Sequence, residues 1–235
     1  MSTSIHEFPP FPGFSDEGLH FLRALREHND RDWFEERRAV YEDEVRLPLK
    51  CLIADVARRL IDHELPLTGH PTSSRFRIYR DLRFTDDDRP YKTNVGAVFD
   101  RSGEKEAPGV VYVHVEPGHC FLGGGFYRPS VSYLKPIREA MAEAPGQVRA
   151  LLDTMADRGV PVSSMDDTLT GMPQGFHEYR EEEVAAFLKW KHLVVRRFYD
   201  DAALQSPAFA AEVVRFADDC RPLLEYGWEA EATSE

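Results

Sequence analysis

The spacing of apolar residues changes twice along this 235-residue chain, and this change is the strongest constraint on its fold. From residue 15 to residue 63 leucines and aromatic residues recur at helical spacing. From about residue 75 to residue 126 apolar residues alternate with small or polar ones, and helical spacing returns after Ser130. This order predicts one α+β domain over residues 1–235, in which N-terminal and later helices pack on a mainly antiparallel sheet.

Local signals predict where the elements begin. Ser15 is placed to cap the first helix, either Asn29 or Asp30 to cap the second, and Pro48 lies near the start of the third. The stretches on either side of Pro117-Gly118 predict an antiparallel hairpin. Both chain ends lack such signals: we expect residues 1–14 to form an extended arm whose phenylalanines pack on the body, and residues 227–235 to form a frayed acidic tail.

Composition excludes several classes of protein. Forty-one acidic and 29 basic residues give a net charge of −12, which disfavours general coating of DNA or RNA. The chain has no apolar run of 18 residues and no signal-peptide pattern at its N-terminus, so we expect neither membrane insertion nor secretion. Three cysteines without a Cys-x-x-Cys pair are typical of reduced thiols, and we therefore expect a cytoplasmic protein.

One segment reverses the sign of the charge. Six basic and four acidic side chains give residues 75–93, RFRIYRDLRFTDDDRPYKT, a charge of +2, whereas the rest of the chain carries −14. Aromatic residues lie between these charges, so the segment offers guanidinium groups for an anion and rings for stacking. The same residues could instead pair with each other and with acidic helices of the chain, and the sequence leaves both interpretations open.

Our functional hypothesis follows from this segment. We expect binding, with turnover left open, of a small anionic ligand that bears a phosphate or a carboxylate, with no cofactor indicated. The alternative is a non-catalytic interaction module that docks an acidic partner. The candidate residues are Arg77, Arg80, Arg83 and Lys92 as the anion clamp, Tyr79 and Tyr91 as stacking or hydrogen-bonding groups, and Asp81 or Asp88 to orient guanidinium groups or act as a base.

Two further motifs contain residue types that can bind a metal ion. The aspartates at 86–88 stand in a sequence typical of a turn, which explains them better than a cation site. His114 and Glu116 project to one face of a predicted strand, so a hydrogen bond between them is favoured over a metal site that includes His119. We therefore predict no metal site.

The same basic segment carries a family resemblance. RIYRDLRF at 77–84, followed by DDDRPYKT at 86–93, resembles the signature of the family catalogued as domain of unknown function 2461. GVVYVHVEP at 109–117 and GGGFYRP at 123–129 are similar to the family as well. The resemblance implies a single α+β domain and no established reaction, cofactor or catalytic residue. The chain departs from the family pattern at Asp87-Asp88-Arg89, where an Asp-Lys pair often stands, so a lysine role at that point is not carried over.

Overall fold

The computed structural model describes residues 4–81, 83, 88–103, 105 and 107–233. Its strands are β1 (Val95–Phe99), β2 (Val110–Val115), β3 (Cys120–Phe126) and β4 (Leu193–Tyr199), which form one antiparallel sheet in the order β1-β2-β3-β4. Its α-helices are α1 (Asp16–Glu27), α2 (Arg31–Glu36), α3 (Arg38–Val40), α4 (Leu47–Asp62), α5 (Val131–Glu143), α6 (Pro145–Asp157), α7 (Ala185–Leu188), α8 (Asp201–Gln205) and α9 (Phe209–Thr233). The predicted α+β class is confirmed.

The predicted helix starts can be compared with the observed caps. The Ser15 hydroxyl accepts a hydrogen bond from the Gly18 N–H at 3.0 Å and so caps α1. At the second start Asp30 is the cap, because its carboxylate accepts from the Trp33 N–H at 2.9 Å. Asn29 is thereby left for a different role, described below. One π-helical turn, Tyr41–Arg46, precedes α4.

Strand β2 has one buried face and one half-exposed face, whereas all five residues of β1 are buried. Along β2, Val111, Val113 and Val115 are fully buried, whereas Tyr112 and His114 between them are half-buried. This alternation is the period of two that a sheet with one covered face requires. The half-exposed face is therefore where polar and aromatic side chains of the sheet meet solvent.

The chain divides into two compact units, and the first comprises Met1–Ala107, Tyr112–Leu122 and Phe198–Phe216. Within it α4 packs on β1, and the side chains of Ile53 and Phe99 both lie against Gly69. The outer edge of β1 is paired with the preceding segment through single bridges from Thr68 to Asp100 and from Arg75 to Ala97. The basic segment therefore runs alongside the sheet in this unit.

The second unit comprises Pro108–Val111, Gly123–Arg197 and Ala217–Glu235. Within it, a Cβ at Gly124 would lie 2.4 Å from the Cys220 sulfur, so only glycine lets α9 approach β3 this closely. The buried Arg138 guanidinium donates to the carbonyls of Leu188 and Trp190 at 2.8 and 3.0 Å, which satisfies the ends of the loop after α7.

The three cysteines Cys51, Cys120 and Cys220 are buried and free. No described helix is both long enough and apolar enough to cross a membrane.

The C-terminal end differs from the sequence prediction. Helix α9 continues to Thr233, so the frayed tail predicted from residue 227 is wrong for residues 227–233. Trp228 is 7% exposed, and its indole N–H donates to the Pro108 carbonyl at 2.9 Å. The sequence does not predict this end of the helix, because exposed glutamates separate its buried positions Leu224, Trp228 and Ala230.

Replacement of the indole tests whether this last part of α9 belongs to the core. We expect Trp228→Ala to lower the free energy of unfolding by about 3–5 kcal/mol, because it removes a buried ring and leaves the Pro108 carbonyl without its donor. Urea denaturation measures the change. The control Glu229→Ala alters the exposed neighbour and should stay within about 0.5 kcal/mol of the wild type, whereas equal effects of both changes would contradict the assignment.

Candidate functional site

The basic segment forms a short two-stranded ladder. Tyr79 and Tyr91 face each other in a single antiparallel bridge. The Arg80 N–H donates to the Pro90 carbonyl at 2.9 Å, and the Lys92 N–H donates to the Ile78 carbonyl at 2.7 Å. Residues 86 and 87 of the turn predicted at residues 86–88 lie outside the described part of the chain.

Asn29 fastens this ladder to the end of α1. Its side-chain amide nitrogen donates to the carbonyls of Leu25 and Tyr91, both at 3.0 Å, and its amide oxygen accepts from the Tyr91 N–H at 2.9 Å. The Tyr91 ring is 1% exposed and stacks on Phe34 at a centroid distance of 4.1 Å. Tyr91 therefore anchors the segment in the core. Its buried ring cannot stack on a ligand, which differs from the role that the sequence hypothesis gives it.

Several other candidate residues pair within the chain. The Arg83 guanidinium donates to both carboxylate oxygens of Asp81 at 2.9 and 2.7 Å, and this pairing lowers the pKa of Asp81 to about 2. The Arg80 Nε donates to the Tyr91 carbonyl at 3.0 Å. This part of the segment follows the alternative in which the charges satisfy each other. Asp88 is exposed, and Tyr79 is 49% exposed beside the Arg38 guanidinium.

Arg77 and Lys92 instead join two cations outside the predicted set. With Arg75 and Lys105 they form what we call the basic cluster: the other three cations act on the charge of Lys105, and two of the four, Lys92 and Lys105, lie beside the ring of Phe76. The Nζ atoms of Lys92 and Lys105 lie 5.9 and 5.4 Å from the centroid of that ring. Lys105 also donates to the Arg75 carbonyl at 3.0 Å, which fixes the loop after β1 against the segment.

The basic cluster gathers like charges. Partial desolvation lowers the pKa of Lys105, and the positive charges of Arg75, Arg77 and Lys92 lower it further. Burial likewise lowers the pKa of Arg75, whose Nε atom has no hydrogen-bond partner among the described residues. Within that part of the chain no carboxylate forms an ion pair with any of the four. Such an arrangement attracts an anion, because an anion relieves the mutual repulsion.

The sequence could indicate only part of this cluster. Arg75 lies in the basic segment, but nothing in the pattern distinguished it from its paired neighbours. Lys105 follows 30 residues later in the loop after β1, and the pairing of β1 with the segment brings it to Phe76. An alternation of basic residues around one aromatic residue, as in RFR at 75–77, was the available signal.

A hydrogen-bonded network lies on the half-exposed face of the sheet. His114 Nδ1 lies 2.9 Å from the Tyr112 hydroxyl and 3.2 Å from the Asn94 amide nitrogen, and His114 Nε2 lies 3.2 Å from Glu116. Because the Asn94 nitrogen can only donate, Nδ1 accepts and the Nε2–H donates to Glu116. The predicted hydrogen bond between His114 and Glu116 is thus confirmed.

The network fixes the charges of its members. Burial lowers the pKa of His114 despite the opposing effect of Glu116, so the imidazole is neutral near pH 7. Burial opposes ionisation of Glu116, but the hydrogen bonds from His114 and Thr93 together with the nearby positive charge of Arg26 outweigh it and lower the pKa of the carboxyl. Among the described residues, no group of three or more His, Cys, Asp and Glu side chains is arranged to hold a metal ion.

Comparison with known proteins gives one match. The model of a family described as conserved hypothetical protein, DUF2461, matches residues 17–226, a range that includes the basic cluster and the His114 network. No curated protein and no solved structure matches the chain.

The His114 network predicts how stability depends on pH. As pH falls below about 6.5, a solvated histidine of the unfolded chain binds a proton before His114 of the folded protein does, so the folded state loses stability. We expect His114→Gln to reduce this loss, measured as the difference between urea midpoints at pH 7.5 and pH 5.5. An unchanged difference in the variant would show that His114 does not contribute to the acid sensitivity.

Proposed function

The chain belongs to the DUF2461 family of conserved hypothetical proteins, and we propose from its geometry that it binds a small anionic ligand at the basic cluster. The observation that carries the proposal is the grouping of Arg75, Arg77 and Lys92 near Lys105, with no ion-paired carboxylate among the described residues. A phosphate or a carboxylate is the group that such cations accept.

The chemistry of the four side chains supports this ligand class. Guanidinium groups offer two parallel N–H donors that match two oxygens of a phosphate or carboxylate, and ammonium groups add compact positive charge. A protein with a net charge of −12 repels anions from most of its surface, so local cations have to supply the attraction. Partial burial of Arg75 strengthens the attraction between its guanidinium group and an anion, because less water screens it.

The proposal concerns binding rather than turnover. Asp81, one of the two carboxylates suggested as a base, has a pKa of about 2 and is committed to Arg83. A carboxylate of that pKa is a weak base near neutral pH. The proposed anion clamp differs from the one predicted from the sequence. It keeps Arg77 and Lys92 and adds Arg75 and Lys105. Arg80 and Arg83 are left out, because they make contacts within the segment.

Binding of inorganic phosphate at low ionic strength tests the proposal. We expect phosphate to raise the melting temperature by about 5–10 °C at concentrations near 100 times the Kd, because it binds only the folded state. In the double variant Arg77→Ala/Lys92→Ala the affinity should fall about tenfold or more, since two charged donors are lost. Differential scanning fluorimetry measures the shift, and added salt should reduce it.

The matched control is Arg83→Ala, which removes a cation of the same segment that pairs with Asp81. It should keep the phosphate-dependent shift of the wild type. No shift in the wild type, or a shift that survives the double variant, would contradict the proposal. A shift produced by polyglutamate but not by phosphate would instead favour the interaction module that docks an acidic partner.

A further inference from the structure

A row of aromatic rings crosses the half-exposed face of the sheet. Because side chains alternate along a strand, Tyr112 of β2, Phe121 of β3 and Phe198 of β4 project to the same side. Phe76 continues the row beside β1. Successive ring centroids lie 5.7, 5.8 and 5.8 Å apart, and we call these four residues the aromatic strip.

The two ends of the aromatic strip are open to solvent. Phe76 is 39% and Phe198 58% exposed, whereas Tyr112 and Phe121 between them are half-buried. Neighbouring rings meet at interplanar angles of 77°, 60° and 51°, so the aromatic strip is an uneven apolar surface whose exposed ends are Phe76 and Phe198. A ligand with a flat apolar group would cover them and remove their apolar surface from water.

Gly96 on β1 makes the surface possible at the Phe76 end. A Cβ at this position would lie 2.8 Å from the Tyr112 hydroxyl and 2.9 Å from its ring. The Tyr112 ring can therefore lie over the backbone of β1, next to Phe76, only because residue 96 has no side chain. Any larger residue would push Tyr112 away and separate the two rings.

The charge next to the aromatic strip indicates what its occupant carries. The basic cluster lies at the Phe76 end, where Lys92 and Lys105 lie within 5.9 and 5.4 Å of the same ring that Tyr112 approaches to 5.7 Å. One small molecule can therefore reach both the cations and the rings. The cations select an anionic group, and the rings select a planar one.

We propose that the aromatic strip binds the planar aromatic group of the ligand whose anionic group is held by the basic cluster, so that the ligand is an aromatic anion such as an aryl phosphate or a nucleotide. This inference rests on the proposed anion site and names its ligand class. Stacking on exposed rings accounts for the affinity that the aromatic group adds, because aromatic faces stack on one another in water.

Two ligands of equal charge, one with an aromatic ring and one without, separate the contribution of the ring from that of the phosphate. In isothermal titration calorimetry at one ionic strength, phenyl phosphate should bind about tenfold or more tightly than methyl phosphate. Adenosine monophosphate should share the advantage over ribose 5-phosphate. The comparison isolates the ring, since each pair presents the same phosphate to the basic cluster.

Substitutions then test whether Phe76 is the ring responsible for the preference for phenyl phosphate over methyl phosphate. Phe76→Leu keeps an apolar side chain of similar bulk but has no aromatic face, and it should reduce the preference for phenyl phosphate to about twofold or less while methyl phosphate still binds. Phe76→Tyr should restore the preference. The control Tyr127→Ala removes a ring that is 55% exposed but lies outside the aromatic strip, and it should leave the preference unchanged.

The outcomes distinguish this inference from the one it rests on. Equal binding of phenyl and methyl phosphate to the wild type overturns the aromatic ligand class and leaves the anion site standing. Failure of both ligands to bind overturns the anion site itself. A preference that survives Phe76→Leu, or that is lost in Tyr127→Ala, also overturns the inference, because the ring would then bind elsewhere.

Discussion

Three hydrogen bonds from the Asn29 side chain hold the basic segment in place, and the candidate site depends on them. They join the end of α1 to both backbone polar groups of Tyr91, whose ring is then stacked on Phe34 in the core. Since Lys92 follows Tyr91 directly and pairs with Ile78, the same contacts set the register of both arms of the ladder. Loss of the Asn29 amide would leave the Tyr91 N–H without its acceptor, whereas the Tyr91 carbonyl would keep the hydrogen bond from Arg80.

This attachment separates the charges of the segment into two groups. Arg80 and Arg83 are directed to acceptors within the segment, where they contribute to local order. Arg75 pairs with β1, and Arg75, Arg77 and Lys92 lie near Lys105. Exposed ion pairs stabilise a fold only slightly, so the four cations that form no ion pair with a described carboxylate are the charges whose arrangement calls for a functional explanation.

Local signals explain what the sequence could predict. Caps at Ser15 and Asp30, the strand alternation along β2 and the contact of His114 with Glu116 depend on residues near one another in the chain. The burial of Tyr91, the approach of Lys105 to Phe76 and the helical end of α9 depend on partners far away in sequence. The sequence alone predicts a Tyr91 ring available to a ligand and a frayed end over residues 227–233, because it does not reveal partners that are distant along the chain.

The central claim is that the basic cluster, as held by Asn29 and Tyr91, is an anion site. The most direct measurement is a titration of isotopically labelled protein with inorganic phosphate, followed residue by residue through backbone amide chemical shifts. The account predicts that saturable shifts concentrate at Arg75, Phe76, Arg77, Lys92 and Lys105, with Arg83 little affected. Saturable shifts confined to other parts of the chain, or none at all, would contradict it.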